Sequence, residues 1–331
     1  MRIIEGNDID SGLWSKLVKQ SSVATWFQSQ EAYAFFDSLS FLEAFAYAVE
    51  SDGVLKGVAV GYIQKDGGKL KQFFSRRAII LGGPLLADDI SNEELDTLLA
   101  ALKSKLRKKT IYIETRNFND YSRWRKNFED NGFEYEPHLD FHVKCQPKEI
   151  VWKNLKDNRR RQIKKALAEG VKIVEATSED EVVVYYRLLS NLYKKKVKTP
   201  LFPIEFFVEF YRNSCGKFFL VKDNNIIIGG ILSPILDNRT IYEWFICGED
   251  ISFKTKYPSV MATWAAMDYA VNNGIQCFDF MGAGKPDEVY GVRDFKSKFG
   301  GELVEYGRYL YLCKPWLFEI GKFYVKIMKK I

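Results

Sequence analysis

Histidine is nearly absent from this chain: two residues in 331, His138 and His142. Chemistry that needs several imidazoles, as metal ligands or as a proton relay, is therefore not expected. Cysteine is also sparse. Cys145, Cys215, Cys247, Cys277 and Cys313 are scattered, odd in number and never spaced as C-x-x-C, which suits a reducing compartment and argues against a disulfide framework or a zinc knuckle. No run of about 18 apolar residues occurs, so no spanning helix is expected. The opening Met1-Arg-Ile-Ile-Glu-Gly-Asn-Asp has no apolar leader core, and the expected location is cytoplasmic. The two histidines stand four apart, a metal-chelating spacing on a helix. Pro137-His-Leu-Asp-Phe-His-Val alternates like a strand instead, which keeps the rings well apart on one face, and no cysteine or carboxylate cluster completes a site. No metal is expected. What the chain does have is 47% hydrophobic, 15% aromatic and 28% charged residues, the composition of a soluble protein with a sizeable core. Its net charge of +6 permits a phosphate-bearing partner without requiring one.

A faint internal duplication organises the rest. Residues 98–117 (LLAALKSKLRKKTIYIETRN) lie over 263–282 (TWAAMDYAVNNGIQCFDFMG). In each, an amphipathic helix breaks into a short strand carrying an acid, Glu114 or Asp279. The same offset sets Gly83 over Gly248. Upstream, residues 48–64 match 220–236 as hairpins of alternating apolar residues. Downstream, Asn131-Gly-Phe and Phe299-Gly-Gly each precede a closing strand, Phe141-His-Val in the first copy and Tyr309-Leu-Tyr in the second. Two helices are expected within 8–37, and two more over 179–196 and 203–213, parted at Pro200 and Pro203. Another helix, capped by Asp157 or Asn158, ends at Gly170. The expected class is α/β, each copy a mixed sheet flanked by helices in the order of the GNAT (acyl-CoA N-acyltransferase) fold. The expected division is a degenerate first lobe over 1–146, a second over 147–313, and an amphipathic tail over 314–331.

Two stretches then carry a family resemblance. Phe278-Asp-Phe-Met-Gly-Ala-Gly-Lys-Pro-Asp-Glu and Tyr290-Gly-Val-Arg-Asp-Phe-Lys-Ser-Lys-Phe-Gly-Gly resemble the closing motif of the FemABX family. Arg160-Arg-Gln-Ile-Lys-Lys-Ala, Ile241-Tyr-Glu-Trp-Phe and Ile111-Tyr-Ile-Glu-Thr-Arg-Asn support it. The resemblance implies tandem GNAT-like lobes that join an amino acid, taken from aminoacyl-tRNA, to an amine of a UDP-linked or lipid-linked peptidoglycan precursor. It implies no resident cofactor. Some members carry a coiled-coil arm for tRNA, and no heptad insertion is visible here. Relatives with a BioF2-like acetyltransferase domain in polysaccharide pathways keep an alternative open: an acyl-CoA-dependent N-acyltransferase acting on an amino sugar or other envelope amine. A non-catalytic protein that binds envelope precursors is the second alternative.

The donor question turns on one loop. Acetyl-CoA enzymes of this fold seat a pyrophosphate on the backbone N–H groups of a glycine-rich turn at a helix N-terminus. The corresponding stretches here are 250–262, which has no glycine but offers Lys254 and Lys256, and 82–94, which is acidic. Neither is a standard CoA cradle. Arg160, Arg161, Lys164 and Lys165 sit close on one helix, either as a solvated face or as contacts to tRNA or precursor phosphates. Residues 194–198 form a second, equally ambiguous basic cluster.

Aminoacyl transfer needs a neutral amine and positive charge at the developing oxyanion. By resemblance, Lys296, flanked by Phe295 and Phe299, sits beside the reacting centre. Asp279 and Glu243 are candidates to accept the amine proton or to orient the ammonium. Tyr242, Trp244, Tyr257 and Tyr290 are candidate walls of an acceptor groove, with the packed core as their ordinary alternative. Arg293 is a candidate for an acceptor carboxylate or phosphate, and Arg116, at the equivalent strand end of the first lobe, is a candidate groove residue. The tail alternates lysines with apolar residues, as a segment packed on the body or resting peripherally on the inner face of the plasma membrane does. A monomer is expected.

Overall fold

The computed structural model describes residues 1–65, 75–197 and 199–328, with side chains described through residue 322. The chain forms two compact units, Met1–His138 with Tyr306–Ile331, and Leu139–Glu305. The first begins with β1 (Arg2–Glu5), α1 (Ser11–Gln20), α2 (Gln30–Asp37), β2 (Leu42–Ser51), β3 (Val54–Gln64), β4 (Arg77–Gly82) and β5 (Leu85–Leu86). It continues through α3 (Asn92–Leu106), β6 (Tyr112–Asn117), α4 (Arg125–Asp130) and β7 (Glu134–Glu136). The second holds β8 (Leu139–Lys144), α5 (Lys148–Asn154), α6 (Asp157–Ala168), β9 (Lys172–Glu175), α7 (Glu179–Leu192) and α8 (Ile204–Arg212). After these come β10 (Gly216–Asp223), β11 (Ile226–Leu236), β12 (Thr240–Tyr242), β13 (Phe245–Gly248), α9 (Pro258–Asn272), β14 (Cys277–Asp279), α10 (Gly291–Ser297) and β15 (Glu302–Glu305). The chain then returns to the first unit with β16 (Arg308–Leu312) and α11 (Pro315–Met328).

The duplication holds down to single residues. The β2–β3 hairpin turns at Asp52 and Gly53, both at positive φ, and β10–β11 turns at Asn224 and Asn225, also both at positive φ. These residue types are the ones that tolerate the left-handed conformation of a tight two-residue hairpin turn. Each hairpin shifts register at the equivalent place, between Val49 and Glu50 and between Val221 and Lys222. In each copy the next strand is broken in two. β4 and β5 pair with opposite ends of β3, and β12 and β13 pair with opposite ends of β11. A helix follows, and a strand then enters parallel to the first half of the broken one: β6 beside β4, β14 beside β12. The breaks fall at Gly83–Pro84 and at Glu243–Trp244, so Gly83 corresponds to this second break and not to Gly248, which ends β13.

Each core is organised by the helix after the break. Ser91 and Glu94 cap α3 reciprocally, and Leu95, Leu98, Leu99, Leu102 and Leu106 recur at helical spacing on its buried face. The counterpart, α9, is apolar on nearly every side and lies inside the second core. Helix α6 starts from Lys156 with no side-chain cap, Asp157 standing in its first turn, and Gly170 follows its end at positive φ.

The closing strands do not pair as the repeat suggests. β8, expected to close the first sheet, pairs with β14 and β15 in the second. β16, expected to close the second, lies between β6 and β7 in the first. The boundaries therefore fall at 138/139 and 305/306, in place of one division near 147. Alternation in a short strand names the face that is buried but not the neighbour it pairs with. Side-chain packing shows what selects the partner: Tyr309 of β16 stacks on Phe128 at 4.0 Å and meets Tyr135 edge-on. In the tail, Leu317 is buried and Phe318 meets Tyr112, while Trp316 and Ile320 face outward; residues 329–331 lie outside the described residues.

Removing residues 306–331 is expected to abolish hydrogen-exchange protection in 112–117 and 134–136, because β6 and β7 lose the strand between them. Unchanged protection there would contradict the assignment of β16. The milder Tyr309→Ala change is expected to cost about 3–5 kcal/mol in urea unfolding, the usual loss for a buried aromatic.

Candidate functional site

The second unit has an opening where the broken strand leaves its parallel neighbour. Tyr242 pairs with Asp279, the Glu243 N–H donates to Asp279 O at 2.9 Å, and the Trp244 N–H turns back to Leu232 O. Beyond this point β13 and β14 no longer pair, and the chain after β14 enters a turn over 280–284. Ligands of parallel sheets bind beyond such carboxyl ends. Met281 takes φ 56°, with Gly282 and Gly284 also at positive φ. A left-handed methionine is strained and persists only where neighbours hold it.

Lys296 is the foremost of those neighbours. Its Nζ donates to Phe280 O at 2.7 Å and Gly282 O at 2.9 Å, bracketing Met281, and lies 3.2 Å from Glu243 Oε1. Three acceptors thus meet the three N–H bonds of the ammonium. Glu243 receives a further bond from Thr263 Oγ1 on α9 at 3.0 Å. Burial pushes the Glu243 carboxyl upward, and Lys296 opposes that shift without cancelling it. The lysine sits on the short helix α10, against the Phe280 ring at 5.3 Å. Phe295 and Phe299 flank it as the sequence suggests, but their rings pack together and under the Arg159 guanidinium, 4.4 and 5.0 Å away.

Asp279 holds the turn from the other side. Its Oδ1 accepts the Met281 N–H at 2.6 Å, and its Oδ2 lies 3.3 Å from His142 Nε2. Asp140 joins them: one donor atom from each of the three lies within 4.8 Å of the others. Burial, and then Asp279, push the Asp140 carboxyl well up. Burial pushes the His142 imidazole down, but Asp279, with Asp140 and Glu302 behind it, lifts it to about 9. Asp140 and His142 went unassigned in the sequence because their partner stands more than a hundred residues downstream; the only local hint is that both carry polar groups on one face of an alternating strand. His138 is not part of the cluster. It lies in the first unit, 3.0 Å from Arg308.

The remaining candidates separate. Tyr242 is fully buried, a core residue and not a groove wall. Trp244 is half-buried among Phe206, Phe210 and Phe245. Tyr257 takes φ 49° at the start of α9, and exposed Tyr290 covers Gly284 so closely that a Cβ there would meet its ring at 2.8 Å. Arg293 is committed to the loop carbonyls of Ala283, Lys285 and Pro286 and so shapes the turn instead of awaiting an anion. Lys256 is likewise taken, by Glu169 and Asp223 at 3.5 and 3.4 Å, while Lys254 is exposed. At the N-terminus of α9, where a pyrophosphate would sit, the Asp250 carboxylate accepts from Ser259 N–H at 3.1 Å and Ser259 Oγ at 2.5 Å.

Helices α5 and α6 form an open cleft of about 660 Å³ lined by Glu149, Trp152, Lys153, Asp157, Arg160, Arg161 and Lys164. Arg160 is held by Asp157 and by the carbonyls of Trp152 and Lys153. Lys165 pairs loosely with Glu169 at 3.8 Å. Arg161, Lys153 and Lys164 are exposed, and Lys164 stands 5.8 Å over the Trp152 ring. Of the other basic cluster, Lys198 lies outside the described residues.

The equivalent opening of the first unit is filled. Gln28 Nε2 donates to Gly82 O and Gly83 O at 2.9 and 2.8 Å, and the single Tyr121 O–H proton is shared between Gly82 O and Pro84 O, at 2.9 and 2.7 Å. Arg116, on β6, makes two bonds to Glu114, which also takes Arg308 at 2.8 Å. Burial pushes the Glu114 carboxyl up, but the two guanidinium groups outweigh it and bring it down to about 2.

Residues 212–326 match the model of the FemAB family. No curated protein matches the chain by sequence. Among solved structures, FemX superposes with a TM-score of 0.73 at 16% identity, covering 97% of this chain and 99% of that one. The L-PGS of Bacillus licheniformis gives 0.59 at 13%, covering 95% and 96%. A tandem GNAT protein from the clavulanic acid biosynthesis pathway gives 0.57 at 10%, covering 94% and 99%. The fold is therefore that of tandem GNAT-like proteins, as the element order implies.

Lys296→Met strands Glu243 as a buried, unpaired carboxylate, and a loss of about 3–5 kcal/mol is expected. Adding Glu243→Gln should recover part of it; a double-mutant cycle in urea without coupling would contradict the pair. For Glu114 the folded pKa lies below the unfolded one, so its stabilisation is present above about pH 4.5 and lost as pH falls through 2. Glu114→Gln should flatten this acid limb in pH-dependent unfolding.

Proposed function

Because residues 212–326 match the model of the FemAB family, we propose that this chain forms an amide bond between an activated amino acid, delivered as an aminoacyl ester on tRNA, and an amine of a UDP-linked or lipid-linked peptidoglycan precursor. The observation that carries this reading is the buried Lys296 ammonium under a strained turn at the open end of a parallel strand pair. The amine nitrogen attacks the ester carbonyl, the C–N bond forms as the C–O bond to ribose breaks, and the amine proton ends on the departing hydroxyl. Positive charge in a site with little water stabilises the negative oxygen of that tetrahedral species more than it would in solvent. With its N–H bonds engaged, Lys296 acts through its field and by fixing the turn. Glu243 and Asp279 act as positioning groups, holding the lysine and the turn, and Trp244 and Tyr290 remain the aromatic candidates beside the groove.

One observation bears on the donor. Asp250 takes the helix N-terminus that a CoA pyrophosphate would need, so that ligand would meet a carboxylate where it requires N–H groups. This favours the tRNA ester over acyl-CoA. Exposed Arg161 and Lys164 are the cations through which tRNA phosphates would be held. Outward Trp316 and Ile320 on α11 are compatible with peripheral contact at a membrane carrying a lipid-linked acceptor; among the described residues no helix is long and apolar enough to cross one.

The test combines the pure protein with charged tRNA and each acceptor class, and follows amide product by mass spectrometry. Product is expected with aminoacyl-tRNA, and Lys296→Met should lower kcat/KM by about two to three orders of magnitude. Absence of product with every acceptor, together with tight CoA binding by calorimetry that is lost in Lys254→Ala/Lys256→Ala, would overturn this reading in favour of an acyl-CoA N-acyltransferase.

A further inference from the structure

The face of the second sheet that carries Asp140, His142 and Asp279 does something the transfer chemistry does not require. In register, His142 of β8 lies between Asp279 of β14 and Glu302 of β15. The opposite face, with Phe141, Val143 and Phe278, enters the core. Alternation therefore dictates a polar face, and yet Asp140 and Asp279 are only 4% and 1% exposed. Two buried carboxylates with an imidazole beside them form a donor set that the transfer chemistry does not use, and the nearby Lys296 ammonium is committed to Glu243 and two carbonyls.

The geometry points to a metal site: we propose that Asp140, His142 and Asp279 together bind one divalent transition cation. Three features carry this. The donor set is one imidazole and two carboxylates, brought within 4.8 Å of one another from two strands. The 3.3 Å between His142 Nε2 and Asp279 Oδ2 matches the ~3.4 Å edge of a tetrahedron with metal–ligand bonds of about 2.1 Å. Each carboxylate is also oriented by a backbone N–H on one oxygen, Met281 N to Asp279 Oδ1 at 2.6 Å and Phe141 N to Asp140 Oδ1 at 2.7 Å, as outer-shell partners orient metal ligands. An imidazole in the set selects Zn²⁺ or Mn²⁺ over Mg²⁺, which prefers oxygen alone. The cation bridges β8 to the end of β14 and so clamps the base of the 280–284 turn. Its role is structural, and its presence does not depend on which group the protein transfers.

The full-length chain, stripped with EDTA and dialysed, is titrated with Zn²⁺, Mn²⁺ and Mg²⁺ by calorimetry, with bound metal counted by mass spectrometry. One equivalent of Zn²⁺ or Mn²⁺ is expected, at least tenfold tighter than Mg²⁺, with a rise in Tm on loading. His142→Gln and Asp140→Asn should each lose that equivalent and the Tm rise. Circular dichroism reports whether each variant is folded, and His142→Gln alone decides the matter if Asp140→Asn is not. Absence of saturable binding to the wild-type chain, or binding of equal affinity and stoichiometry in folded His142→Gln, overturns the proposal.

Discussion

A buried ammonium that touches two carbonyls and a carboxylate is the interaction on which the second unit's opening depends. Lys296 reaches from α10 to Phe280 and Gly282, so the left-handed Met281 lies between two carbonyls that one ammonium anchors. Glu243 supplies the counter-charge from the broken strand, and Thr263 ties that carboxylate to the central helix. Four elements thus converge on one charge. The strain at Met281 and the desolvation of Glu243 persist because Lys296 supports both.

The two copies show how one architecture is kept open or closed by a few side chains. Both break the same strand, and both admit a parallel neighbour at the break. In the first unit Gln28 and Tyr121 satisfy the carbonyls of Gly82 and Pro84 and fill the space. In the second the corresponding groups are a carboxylate and an ammonium beside a strained turn. The backbone of the first unit retains the opening, and its side chains fill it.

Charge has been used throughout for position. Arg293 shapes the 283–286 loop, Lys256 bridges Glu169 and Asp223, Asp250 caps α9, and the pair Arg116 and Arg308 encloses Glu114. Several cations that resemble ligand contacts in sequence are thereby consumed in the fold, leaving Arg161, Lys164 and Lys254 exposed. A net charge of +6 says little about which of them meets a partner; the local pairing decides it.

Periodicity and turn chemistry by themselves determined the elements and the duplication, because these depend on neighbours a few residues apart, and the motif residues of 278–301 carried the family resemblance. The Asp-Gly and Asn-Asn turns, the leucine face of α3 and the glycines of the 282–284 turn are all legible in that way. Tertiary structure alone decided that β8 and β16 complete the sheets opposite to those their repeats suggest. It also turned Tyr242 into core, spent Arg293 and Lys256 on internal partners, and brought His142 to Asp279. The physical reason is plainest for the two strands and for His142. An alternating strand specifies which face is buried, but its pairing partner and the company of its polar side chains are set by contacts between segments more than a hundred residues apart, and no local pattern encodes those.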